Sequence, residues 1–262
     1  LNSNSWNYPG VVDPGDVSSM TSAEVNALGK GVSGANIVNI FDGTIDFQGF
    51  TLTHNVYADN QRMFTNIGSK GLVQNIVYSV KNLNEARIYD DAAMCYRNFG
   101  TIRDIYVKYR GGYVLNNEYY GILARVNSST GIIENFVVEN VPDENFAGFN
   151  AYRLAGLLTY DNYGIIRYGY VYGDNIIATA YDQSITREIG GIAGANYAGT
   201  IENCYTYHVF ITAGRAGGIV GDNHGDGKKN NGTDRPGTIT NCYTTSENIC
   251  MKGTSTDDNT AN

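Results

Sequence analysis

The sequence predicts an all-β fold, a right-handed parallel β-helix of about seven coils closed at its N-terminal end by a short helix. Three observations carry this expectation: a glycine-led phrase recurs along the chain, equivalent residues of successive copies form chemically consistent columns, and the composition suits strands and turns. Of 262 residues, 32 are Gly and 21 Tyr against only 4 Pro, and charged residues reach just 17%, below the usual quarter. Tyr, Ile, Val and Thr favour strands, and Gly supplies the positive φ that sharp corners demand. A hydrophobic content of 42% is ample for a buried core.

Residues 1–42 read as a lead-in and cap, because a solenoid that left its first coil bare would expose apolar side chains and unpaired strand edges. Thr21-Ser22-Ala23-Glu24 is a capping box that opens a helix over 21–28, with Val25 and Leu28 on one face and Gly29 as its stop. Ile37, Val38, Ile40 and Phe41 follow as a strand over 37–41 leading into the first coil. Residues 43–250 are the repeats, and the polar stretch 251–262 reads as a disordered tail or a linker.

The repeated phrase is GLVQNIV at Gly71, GTIRDIY at Gly100, GIIENFV at Gly131, GIIRYGY at Gly164, GTIENCY at Gly199 and GTITNCY at Gly237, with a looser GTIDFQG at Gly43. The intervals grow from 28 to 38 residues, a drift that loop growth explains without disturbing the repeat. A second phrase precedes each copy and ends in Asn: RMFTN at Arg62, AMCYRN at Ala93, GILARVN at Gly121, GLLTYDN at Gly156, GIAGAN at Gly191 and GIVGDN at Gly218. One unit therefore holds a short strand, an Asn-marked turn, a second strand led by Gly and a return segment.

Stacking strands about 4.8 Å apart places equivalent residues against one another, so each column must make physical sense. Two residues after the glycine stand Val73, Ile102, Ile133, Ile166, Ile201 and Ile239, a β-branched column that must face inward. Four after it stand Asn75, Asp104, Asn135, Tyr168, Asn203 and Asn241, a column of the kind amides build where a strand turns. Between them lie Gln74, Arg103, Glu134, Arg167, Glu202 and Thr240, where Arg and Glu alternate and opposite charges fall opposite one another. Cys204 and Cys242 share a column with Ile76, Ile105 and Phe136, and Cys95 is placed with Leu123, Leu158, Ala193 and Val220; all three read as small buried hydrophobes rather than disulfide partners.

A net charge of −8 and the absence of any basic run argue against nucleic acid. The apolar stretches are too short to span a bilayer, and a chain that starts at Leu1 without a signal-peptide core reads as a monomeric module cut from a larger protein. His54, His208 and His224 fall in different parts of the repeat and form no zinc site. Glu134 and Glu202 are separated by the coil carrying Arg167 and read as its ion-pair partners rather than as the carboxylate pair of a glycosidase. No catalytic constellation emerges. Asp222 and Asp226 open a stretch that begins like a calcium loop, but His224 stands where an oxygen ligand belongs and Thr233 where a bidentate Glu does. The loop reads as a solvated turn, with no cofactor expected and calcium the one cation its pattern could suggest.

The remaining candidates are aromatic. Six residues after the glycine come Val77, Tyr106, Val137, Tyr170, Tyr205 and Tyr243, with Tyr172 and Tyr207 two residues further along the same outward face. Such a strip could stack on sugar rings or on a partner protein; equally, Tyr is simply at home on an exposed strand face.

GIAGANYAGTIENCYT, from Gly191 to Thr206, and GIVGDN at Gly218 followed by GTITNCYT at Gly237 resemble the GLUG motif of bacterial cell-surface proteins. Earlier units keep the spacing with Arg62 and Ala93 in place of the leading glycine and Ala124 or Thr159 in place of the second, and the SAEVNALG and IDFQGFTLT segments resemble the lead-in of these domains. The resemblance spans roughly residues 20 to 245. It implies a secreted or wall-attached, adhesin-like extracellular protein, of a kind also found in accessory regions of immunoglobulin A peptidases, whose partner is a host or environmental glycan or surface protein. It transfers no catalytic residue, because the motif's Gly and Asn belong to backbone corners. The expected function is thus non-enzymatic binding through the lateral faces, with a polysaccharide-active β-helix enzyme and a passive spacer as the rivals.

Overall fold

The computed structural model describes residues 40–56, 62–82, 91–110, 119–140, 150–151, 154–180, 188–224, 236–245 and 249–251. Within them the chain is all-β, with parallel strands stacked in three sheets as a β-solenoid. No helix occurs among the described residues; the helix expected over 21–28 lies outside them, as do residues 37–39 of the expected strand and all of the expected tail except Met251, which ends the strand Ile249–Met251. Phe41 makes a single parallel bridge to Ile67 and stacks its ring on Phe64 at 5.0 Å.

The long sheet runs through Thr44–Asp46, Leu72–Asn82, Thr101–Arg110, Ile132–Asn140, Ile165–Ala180, Thr200–Ala213 and Thr238–Thr240, each strand hydrogen-bonded to the next. Every one of these strands starts immediately after a repeat glycine. A second sheet joins Phe64–Ile67, Cys95–Asn98, Ala124–Asn127, Thr159–Asn162, Ala193–Tyr197 and Val220–His224, and a third joins Asp91–Ala92, Tyr119–Gly121, Leu154–Gly156, Glu188–Gly190 and Arg215–Gly217. The core lies between the sheets.

The chain of the long sheet bends where a recurring residue takes left-handed backbone. Asn75, Asp104, Asn135, Tyr168, Asn203 and Asn241 all have φ between 52° and 56°, a conformation that Asn and Asp tolerate far better than other side chains. The bend resets the in–out alternation, so that Ile102 and Ile105, on either side of Asp104, are both buried. Val73, Ile102, Ile133, Ile166 and Ile201 are fully buried as expected, but Ile239 is 39% exposed, because it belongs to the last strand of the path. In the column after the bend, Gly169 stands between Phe136 and Cys204. A β-carbon there would come within 2.4 Å of the Phe136 ring, so the large and small residues are matched across neighbouring strands.

The glycines that lead the long strands do not supply the positive φ. Among the described glycines only Gly49 has it, at 81°; the corner falls to the asparagines instead. The repeat glycine is required by close approach. A β-carbon on Gly131 would lie 2.3 Å from the Asn127 amide oxygen, and one on Gly199 would lie 2.4 Å from Asn162 Nδ2.

Those asparagines form the polar spine of the fold. Asn98 Nδ2 donates to Asn127 Oδ1 at 2.9 Å, Asn127 to Asn162 at 2.9 Å, Asn162 to Asn196 at 2.8 Å and Asn196 to Asn223 at 2.9 Å. The first four are fully buried. Asn98 Oδ1 accepts from Gly100 N–H at one end, and Asn223 Nδ2 donates to the Gly237 carbonyl at the other. The ladder begins at Asn98 because Ile67, not Asn66, pairs with it.

Register in the second sheet departs by one residue from the expected alignment. Cys95 is level with Ala124, Thr159, Ala193 and Val220, not with Leu123 and Leu158. The repeated glycines that align are Gly121, Gly156, Gly190 and Gly217, so the phrase starts one residue earlier in its last two copies than its leading Gly191 and Gly218 suggest. Cys95, Cys204 and Cys242 are all free thiols, the first two buried.

Arg and Glu line up as the sequence requires: Gln74, Arg103, Glu134, Arg167, Glu202 and Thr240 pair in consecutive register. Arg167 meets Glu134 at 2.8 Å and Glu202 at 3.9 Å. Arg103 turns away from Glu134, donating to Gln74 Oε1 at 2.6 Å and 2.9 Å and lying 3.6 Å from Asp104.

Candidate functional site

Beyond the bend, the outward residues of the long sheet form the face that carries the tyrosines. Val77, Tyr106, Val137, Tyr170, Tyr205 and Tyr243 pair in unbroken register. Two residues on, Ser79, Lys108, Glu139, Tyr172 and Tyr207 do the same. Between these rows, Tyr78, Val107, Val138, Val171 and Thr206 point inward and are buried. The period-two alternation of a strand thus sets the whole face.

The rings meet as a ladder. Tyr170 and Tyr205 stack with centroids 4.7 Å apart and planes 10° from parallel, and Tyr205 and Tyr243 stack at 5.0 Å and 3°. Tyr172 stacks on Tyr207 at 5.5 Å, and His208, itself at φ 53°, lays its ring on Tyr207 at 4.0 Å. In-register parallel strands dictate this, since side chains one strand apart sit at about the thickness of a ring plus its contact distance. The consequence for binding is that most aromatic faces are spent on one another. Edges and hydroxyls face solvent instead.

The exceptions surround Tyr106. Val77 stands on one side of it and Val137 on the other, so neither face of its ring meets another ring in its row. A groove of about 470 Å³ runs past Val77, Tyr106 and Val137 beside the bend, reaching Gln48, Asn75 and Asp104. A second, of about 480 Å³, is lined by Tyr106, Val137, Glu139, Tyr170, Tyr172, Tyr205 and Tyr207. The Tyr106 hydroxyl donates to Glu139 Oε2. That bond, followed by burial, pushes its pKa up to about 12, so the phenol stays protonated. Lys108 Nζ lies 5.2 Å from the Tyr106 ring centre.

All six tyrosines singled out in the sequence therefore share one face, with Tyr106 apart from the stacked five. The pair Asp222 and Asp226 is different. Asp222 faces Arg215 at 2.6 Å, which supplies its positive charge, and Asp226 lies outside the described residues. Among the described residues no group of three or more His, Cys, Asp or Glu side chains is placed to hold a metal ion. His54 is buried with its Nδ1 2.6 Å from the Tyr78 hydroxyl, which donates to the Ala93 carbonyl. It is far in the repeat from His208, and the described residues bring no histidines together.

Two buried carboxyls went unnoticed in the sequence. Asp161, on the second sheet, lies 3.6 Å from Arg125, with both side chains 13% exposed. Burial pushes its pKa up to about 6 against the opposing pull of Arg125 and Arg97. The Arg125, Arg97 and Arg62 guanidinium groups all lie within 5.6 Å of the Tyr96 ring. Glu188, on the third sheet, shares Arg215 with Asp222, at 2.8 Å and 2.6 Å. Burial and the Asp222 charge push Glu188 up to about 7. Nothing local in YDN or REIG marks either carboxyl, because what shifts them is the packing of neighbouring strands.

Comparison with protein-family models, with curated proteins and with solved structures finds no match. The resemblance to GLUG-motif proteins accordingly rests on the residues of the last two repeats.

Proposed function

We propose that this chain is a non-enzymatic binding module of a bacterial surface protein of the GLUG type, secreted or wall-attached, that holds a glycan chain against its tyrosine face. In this reading the solenoid is a right-handed β-helix of about seven coils, one for each glycine from Gly43 to Gly237, capped by the helix over 21–28. Right-handed crossovers are the rule for parallel strands. The observation that carries the proposal is the pair of grooves beside Tyr106, whose ring meets no other ring in its row and whose hydroxyl is held by the Glu139 carboxylate. Sugar rings are recognised by that combination, an aromatic face against C–H groups and charged acceptors against hydroxyls.

The test is a glycan array probed with the folded module. Tyr106→Ala is expected to weaken binding at least tenfold while leaving the thermal midpoint within a few degrees, since a half-exposed ring on an outer face carries little of the core. A second reading, a passive spacer, is favoured by the stacked tyrosines, whose faces stabilise the rod rather than meet a ligand. A spacer leaves every spot on the array blank.

A further inference from the structure

The row of tyrosines lacks one rung. Tyr106, Val137, Tyr170, Tyr205 and Tyr243 occupy equivalent positions on consecutive strands, and only Val137 among them has no ring. Where rungs are present they lie 4.7 Å and 5.0 Å apart. Tyr106 and Tyr170 are separated by two strand intervals, about 9.6 Å. A flat ring placed over Val137 would sit about 4.8 Å from each of them, the spacing the ladder itself uses.

We infer that this gap is a subsite for one neutral pyranose ring, sandwiched between Tyr106 and Tyr170 with Val137 as its floor. The inference rests on the glycan-binding reading and makes it specific. The groove over Val137 holds about 480 Å³, within the range of small-ligand sites. The Val77 side offers no such sandwich, because its far wall is Thr51 and not an aromatic residue. The rim decides the chemistry of the occupant. Glu139 presents a carboxylate that already fixes the Tyr106 hydroxyl, and Lys108 places its ammonium over the same ring, 5.2 Å from its centre. With one charge of each sign at the rim, a ring with uncharged hydroxyl groups is matched, and a uronic acid would set its carboxylate against Glu139. The Tyr106–Glu139 bond also holds the first wall in place before the ligand arrives, so little ordering is needed on binding.

The experiment titrates the folded module with cellohexaose, xylohexaose, mannohexaose and, as a charged counterpart, a hexamer of galacturonic acid. Binding is read by calorimetry and by the chemical shifts of the valine methyl groups. A neutral hexaose is expected to bind and to move the Val137 methyls more than those of Val77. Val137→Tyr supplies the missing rung and should reduce that affinity at least tenfold. Binding of a neutral hexaose that leaves Val137 unmoved and survives Val137→Tyr overturns the subsite and leaves the glycan-binding face standing. Tighter binding of the uronic acid overturns the assignment of a neutral ring. No binding by any of the four overturns both readings together. If Val137→Tyr fails to fold, the methyl shifts of the unaltered protein decide the question alone.

Discussion

At Tyr168 the repeat breaks its own rule. Five of the six long-strand corners are Asn or Asp, but here a bulky aromatic residue holds φ at 56° with its side chain 51% exposed. Left-handed backbone costs such a residue roughly 1 kcal/mol more than it costs Asn or Gly. The neighbouring corners also bond to one another, Asn135 Nδ2 to Asp104 at 3.1 Å and Asn241 Nδ2 to Asn203 at 3.3 Å, and Tyr168 interrupts that row. All Tyr168 offers in return is a ring 5.4 Å from the Arg167 guanidinium. Tyr168→Asn should therefore stabilise the protein by about 1 kcal/mol, seen as a higher midpoint in urea with an unchanged slope. A lower midpoint would mean that the Arg167 contact outweighs the backbone strain.

Asparagine also organises the strands, through the ladder from Asn98 to Asn223. Each rung donates to the next in the same direction, so the amide dipoles add and every buried polar atom in the row has a partner. Asn162→Ala removes two of these bonds at once and leaves the Asn196 oxygen without the donor it had, a loss of about 3 kcal/mol. Asn223→Ala, at the exposed end of the same row, should cost only about 1 kcal/mol. Equal losses in urea unfolding would show that the ladder is not the cooperative spine described. This element was half legible in the sequence. The closing Asn of each phrase was visible, and so were the buried Ile column and the Arg–Glu alternation, because period-two patterning and charge pairing are written in single residues. The one-residue offset that puts Cys95 level with Ala124 was not, since doubled glycines at 190–191 and 217–218 let the phrase be read from either. The repeat glycines are needed for space and not for conformation: the corner residues with positive φ are mostly Asn or Asp, while Gly131, Gly199 and Gly237 leave room for asparagine amides. The tyrosine row was legible down to its members, but a sequence cannot say whether rings in register turn their faces to solvent or to each other.

For the molecule as a whole, charge and burial push stability in one direction with pH. Asp161 titrates near 6 in the fold because burial disfavours its charged form, against about 3.9 in an unfolded chain. A carboxyl with a raised folded-state pKa binds a proton in the fold that the unfolded chain has already released. Its contribution is full below about pH 4 and is lost as pH rises through 6. Glu188, raised to about 7 by burial and by Asp222, behaves alike, with its loss centred higher. Asp46 is held low by Asn75, Gln48 and Gln74 and acts in the opposite sense, but it is solvent-exposed and screened. The net charge of −8 adds self-repulsion at the alkaline end of the same window. The melting temperature should consequently fall between about pH 4 and pH 7. Asp161→Asn removes the titrating group while keeping its shape and its place beside Arg125, and should remove about 2–3 kcal/mol of the fall between pH 4 and pH 6. A fall between pH 4 and pH 6 as large in Asp161→Asn as in the wild type would show that the Arg125 and Arg97 charges, not burial, govern Asp161.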